Sequence, residues 1–116
     1  MQVENRTEHA VTIANGASLS NAVNLRGEVL VGVRMPAAWT AAGITFQVSM
    51  DNVTYLNAYA AGGGEVALVV VAAHHVALDP NGYAGFRWIK VRSGTGAAPV
   101  NQGADRVFSV VSRGVG

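Results

Sequence analysis

The stretch Ile44-Thr45-Phe46-Gln47-Val48-Ser49-Met50 decides the fold. Large apolar side chains alternate with small polar ones at a period of two, the pattern of a half-buried β-strand. The alternation predicts Ile44, Phe46, Val48 and Met50 facing a core, with Thr45, Gln47 and Ser49 facing away. Asp51-Asn52 follows, a pair that tolerates positive φ, so the chain is expected to turn there and return antiparallel over residues 54–59.

Further strands are predicted on both sides of this one. Residues 9–14 form a first strand, ended by the Asn15-Gly16 turn signal. Residues 28–35 alternate with Val29, Val31 and Val33 on one face, and Pro36 stops them. Residues 36–43 read as a connection in which Trp39 plugs one end of the fold. Residues 65–72 are apolar on both faces, as expected of a strand buried centrally or of a subunit contact. Asp79-Pro80-Asn81-Gly82 is a turn. Residues 86–92 and 106–112 are the last two strands, separated by a loop of residues 93–104 rich in Gly, Ala and Pro. About eight short strands at this spacing predict an all-β antiparallel sandwich, preceded by a polar arm over residues 1–8.

Composition agrees. Nineteen valines and three isoleucines stand against six leucines, and β-branched side chains favour pleated surfaces over helices. A chain of 116 residues is one domain's worth and long enough for a core of its own. Charged residues make up 13%, eight basic against seven acidic, which argues against disorder and against a polyanion-binding arm. The chain has no cysteine, hence no disulfide and no thiolate chemistry. Neither a signal-peptide profile nor a run of the roughly 20 apolar residues a membrane helix needs is present, so a soluble, non-secreted domain without a membrane partner is expected.

No motif points to catalysis or to a cofactor. His74-His75 point to opposite faces of a strand and do not chelate one ion readily, so a surface pair at a strand end is expected. The loop Ser93-Gly94-Thr95-Gly96 lacks the Lys-Ser/Thr ending and following helix of a phosphate cradle. There is no Gly-x-Ser-x-Gly elbow, and the seven acids are scattered singly. Within 86–92, Ile89 and Val91 read as core-facing, leaving Phe86, Trp88, Lys90 and Arg92 on the opposite face, where aromatics interleaved with cations suit contact with sugar, nucleic acid or protein, or else Trp88 is covered by a loop with its cationic neighbours at the sheet's edge.

The run Met35-Pro36-Ala37-Ala38-Trp39-Thr40-Ala41-Ala42, then residues 44–51 and Tyr55, resembles small proteins encoded among the head genes of tailed bacteriophages and prophages. So does the stretch Phe86-Arg87-Trp88-Ile89-Lys90-Val91-Arg92-Ser93-Gly94-Thr95, followed by residues 98–106; together these cover roughly residues 25 to 112. The hairpin around Asp51 and the 87–91 strand are also similar to the discoidin-type jelly roll, with Asn52 in place of that hairpin's usual glycine. The resemblance implies a capsid decoration, or cement, protein of jelly-roll type on the outer surface of the virion. It would bind a major capsid protein of HK97-like fold, bridge capsomers as a dimer or trimer, and make no direct contact with nucleic acid.

On that reading the expected capsid contacts are Met1, Gln2, Val3, Glu4, Asn5 and Arg6 of the arm, with Ser93, Thr95, Pro99, Asn101 and Gln102 of the long loop. Self-association is expected through Val66, Leu68, Val69 and Val70. The alternative is a glycan-binding jelly-roll module of a head fibre or tail adhesin, stacking sugars on Trp39, Tyr83 and Trp88.

Overall fold

The computed structural model describes residues 6–114, which form nine β-strands and one short 3-10 turn. The strands are β1 (Arg6–Ile13), β2 (Val23–Asn24), β3 (Val29–Arg34), β4 (Ile44–Ser49), β5 (Leu56–Asn57), β6 (Ala67–Leu68), β7 (His75–Ala77), β8 (Trp88–Ser93) and β9 (Arg106–Arg113). They build two antiparallel sheets. One has the order β1-β9-β3-β7; the other runs β2-β8-β4, and β5 and β6 share its far edge by pairing in turn with β4. The protein is an all-β antiparallel sandwich, as the alternation predicts.

The two inner faces supply the core. Ile44, Phe46, Ile89 and Val91 from one sheet meet Val11, Ile13, Leu30, Val33 and Val110 from the other, all without exposed surface. Phe46 also stacks edge-on against Tyr83 at 5.7 Å between centroids, and Phe86 joins them. At another corner Trp39 packs edge-on against Phe108 at 5.5 Å, and its indole Nε1–H donates to the Ala42 carbonyl. The ring covers the core there and is spent on packing.

Five local expectations are corrected, each by a backbone event that alternation does not register. Val31 is the extra residue of a bulge between Leu30 and Gly32, so Leu30 and Val33 are fully buried while Val29 and Val31 are only half-buried. Met50 is 70% exposed because β4 ends at Ser49. The buried Ser49 hydroxyl accepts from the Asp51 and Asn52 amides, and Asp51 accepts from Val53 and Thr54, which winds the chain into a tight turn. That turn, with Asn52 at φ 61°, shortens the returning strand to Leu56–Asn57. Phe86 joins the core instead of sharing a face with Trp88, because β8 begins only at Trp88. Residues 65–72 are an edge and not a central strand: Val66, Leu68 and Val70 pack inward, while Val69 and Val71 face solvent at 92% and 55% exposure.

The arm is shorter than expected. Arg6, Thr7 and Glu8 are the first rungs of β1, paired with Arg113, Ser112 and Val111. Met1 to Asn5 lie outside the described residues.

Gln102 ties the long loop to the 36–43 connection. Its Oε1 accepts from the Thr40 amide (2.8 Å) and from Arg106, and its Nε2 donates to Ser93 Oγ (2.7 Å) and to the Thr40 carbonyl. Both polar atoms of a side chain only 1% exposed are satisfied, which is the condition for burying an amide at no net cost. Replacing Gln102 with Leu takes this partner from the half-buried Thr40 backbone groups and the buried Ser93 hydroxyl. We expect a loss of at least about 1–3 kcal/mol in urea-unfolding stability. Phe46→Ala should cost about 3–5 kcal/mol in the same assay through cavity formation.

Candidate functional site

Three surface regions combine exposure with a fixed geometry. The first is the long loop over residues 93–104. Its base is buried, so Ser93 and Gln102, expected as capsid contacts, are internal fasteners. Thr95, Pro99 and Asn101 are exposed at its crest, with Thr95 Oγ1 accepting from the Ala98 amide to close the turn.

A buried ion pair positions that crest. Arg92 projects from the outer face of β8, yet is only 5% exposed. Its Nε donates to Thr45 Oγ1 (2.9 Å), one Nη to Asn57 Oδ1 (2.9 Å) and the other to Glu65 Oε2 (2.7 Å). Glu65 in turn accepts from the Gly96 amide, and Thr45 donates to the Gly94 carbonyl. One guanidinium therefore holds the 57–65 edge and the 94–99 crest together. Gly94 sits at φ 89°, and a Cβ there would lie 2.6 Å from the Ala98 carbonyl oxygen, so no other residue fits the start of the loop.

The second region is the β5–β6 edge. Of the seven large hydrophobics exposed among the described residues, six lie between residues 50 and 71: Met50, Val53, Leu56, Tyr59, Val69 and Val71. Met50 and Leu56 flank a shallow, mostly apolar cleft of about 270 Å³ with Val48 and Thr54. The edge strands are two residues each, so this rim is apolar and thinly paired.

The third region is the outer face of β8. Trp88, half-buried, lies opposite Asn24 and Ser49, and Lys90 sits opposite Gln47 with its Nζ 4.4 Å from the Tyr55 ring centre. Of the three expected sugar platforms, only Trp88 is on an open face. Trp39 packs on Phe108, and Tyr83 is buried at 6% exposure against Phe46 and Phe86.

A serine, histidine and glutamate also meet, unseen in the sequence because 103 residues separate His9 from Ser112. Ser112 Oγ lies 2.8 Å from His9 Nε2 and 2.6 Å from Glu28 Oε1. The carboxylate can only accept, so the hydroxyl donates to Glu28 and accepts from His9 Nε2–H. The ring nitrogen facing the serine thus already carries its proton, and the fully buried serine is a joint between β1, β9 and β3. Burial pushes the His9 pKa below the usual imidazole value, opposed by the Glu28 charge and aided by that of Arg26. The Ser112 hydroxyl holds the Glu28 carboxyl below its ordinary value against the opposing effect of desolvation. His74 and His75 are exposed, and no metal-binding cluster occurs among the described residues.

Breaking the buried pair from one side by Glu65→Leu should cost about 3–5 kcal/mol, whereas Arg92→Met with Glu65→Leu should recover most of it. Urea midpoints of the single and double variants check this. Because folded His9 titrates below its unfolded value of 6.5, the unfolded chain binds the extra proton first as pH falls. Stability is expected to be fully present above pH 6.5 and to decline below it, until folded His9 itself protonates. In His9→Gln the decline between pH 6.5 and 5 should be smaller; an unchanged pH profile would rule His9 out as its source.

Compared with known protein families, curated proteins and solved structures, the chain matches none of them.

Proposed function

We propose that this chain is a structural virion protein, a capsid decoration protein that binds the outer surface of a phage head and bridges neighbouring capsomers of an HK97-like major capsid protein. The observation that carries the reading is the apolar rim over residues 50–71. A monomer seldom leaves so many large apolar side chains along one edge unless protein covers them. The capsid contact then consists of this rim and the crest at Thr95, Pro99 and Asn101, fastened to each other through Arg92 and Glu65. A contact surface braced in this way loses little conformational freedom on docking.

Strand order supports the same reading. With β5 and β6 counted as one interrupted strand, the order reads 1-8-3-6 and 2-7-4-5, which supports a jelly-roll reading of the sandwich, a fold common in capsid proteins. The expected self-contact through Val66, Leu68, Val69 and Val70 is revised, since only Val69 of the four is exposed. A second reading, glycan binding, draws on the open row of Trp88, Lys90 and Tyr55.

Co-sedimentation with empty heads tests the proposal. Val53→Asp with Leu56→Lys should reduce bound protein at least tenfold without lowering the melting temperature. Deletion of residues 1–5, which spares β1, tests the arm separately. Undiminished binding by the rim variant would sink the rim as the anchor. Glycan-array binding that is lost in Trp88→Ala would favour the second reading instead.

A further inference from the structure

Two clefts meet at one end of the sandwich. The apolar cleft of the rim, about 270 Å³, shares Met50, Gly85 and Arg87 with a wider, open cleft of about 760 Å³ whose other bank is Asn24 and Arg26. Among the described residues, Arg26 and Arg87 are the only charged groups lining the wider cleft. The backbone sets them close: the Leu25 amide donates to the Arg87 carbonyl at 2.8 Å, and Arg26 follows directly on that bond. Arg26 sits at φ 55° and Gly27 at 79°, and the Glu28 amide donates to the Leu25 carbonyl. The first central position of such a turn ordinarily takes Asn, Asp or Gly. An arginine there strains the backbone, and Asn24 Oδ1 holds it by accepting the Arg26 amide at 2.9 Å.

Arg34 and Arg92 are paired with Glu8 and Glu65, whereas the guanidiniums of Arg26 and Arg87 make no ion pair or hydrogen bond among the described residues. Asp51, beside the apolar cleft, gives its carboxylate to the Val53 and Thr54 amides and the Ser49 hydroxyl. Glu28 accepts from Ser112, and the Arg26 charge reaches it only from beyond pairing distance. A Cβ on Gly85 would meet nothing within 4 Å, so the passage between the clefts is open.

We propose that this groove receives an extended acidic segment of the capsid partner. One apolar side chain enters the Met50–Leu56 cleft, and an adjacent aspartate or glutamate seats between Arg26 and Arg87. The inference rests on the rim being the capsid contact and adds the chemistry of what docks there. A planar guanidinium matches a carboxylate through two parallel N–H donors, and two guanidiniums without an acid of their own favour an anion over a neutral polar group. A volume of about 270 Å³ lies below the range of small-molecule pockets and suits a single side chain of a polypeptide. A chain carrying an apolar residue beside an acidic one meets both requirements.

Empty heads test it. If the wild-type protein does not co-sediment with them, the capsid reading fails and this inference falls with it. Where it does, Arg26→Gln with Arg87→Gln should lower bound protein about tenfold or more at about 0.15 M salt and flatten the salt dependence. The melting temperature should not move, because both side chains are exposed. Gly85→Phe should block the groove to similar effect with folding intact. Arg87→Lys keeps the charge and supplies a primary amine, so a carbodiimide should couple residue 87 to a carboxylate of the head protein. Lys90, the chain's one native lysine, is the internal control on the outer face of β8. Binding lost in Val53→Asp with Leu56→Lys but retained in the arginine variant keeps the rim and overturns the acidic segment. Coupling at Lys90 instead of residue 87 overturns the groove.

Discussion

The guanidinium of Arg92 sets the constraint on which the exposed half of the molecule depends. A cation held out of water must have its N–H groups satisfied, and no single neighbour does this. Thr45 on the adjacent strand, Asn57 on the edge and Glu65 beyond it each take part of the task. Glu65 brings its own requirement and meets it with the Gly96 amide. The 57–65 edge and the 94–99 crest are thus fixed relative to the sheet by one charge.

That arrangement reconciles two properties that usually conflict. Apolar side chains exposed on a flexible edge invite non-specific aggregation, and edges built from two-residue strands are weakly held by backbone pairing alone. Here the edge is tied from beneath by the ion pair, and Gln102 does the same for the far side of the loop. Rigidity comes from buried polar groups, which leaves the outward positions free to be apolar. The low charge of the whole chain has the same logic: the few ionic groups that are buried serve as joints.

How far the sequence could be read depended on the range of each interaction. β4 and β8 were legible because Ile44, Phe46 and Val48, and Ile89 and Val91, alternate with polar or cationic residues over several positions. β2 is only two residues long and left no periodic trace. The bulge at Val31 was hidden because Val29, Val31 and Val33 suit a regular strand equally well. Ser93 and Gln102 resembled ordinary polar loop residues, since their burial depends on Thr40, 62 positions from Gln102. The apolar run around Val69 advertised burial but not its side, and only the edge location of β6 divides inward from outward residues. Likewise the Arg92–Glu65 pair spans 27 residues with no motif to mark it.

β9 lies between β1 and β3, pairing with both along most of its length, although it is the last of the nine strands in chain order. Its sheet has no middle until residues 106–113 leave the ribosome. Until then the sides of β1 and β3 that β9 pairs, about twenty residues apart in the chain, are left unsatisfied. Closure joins residues about a hundred positions apart, a contact distribution associated with slow, concerted folding. Folding of this domain is therefore most exposed to misassembly before β9 is in place between β1 and β3.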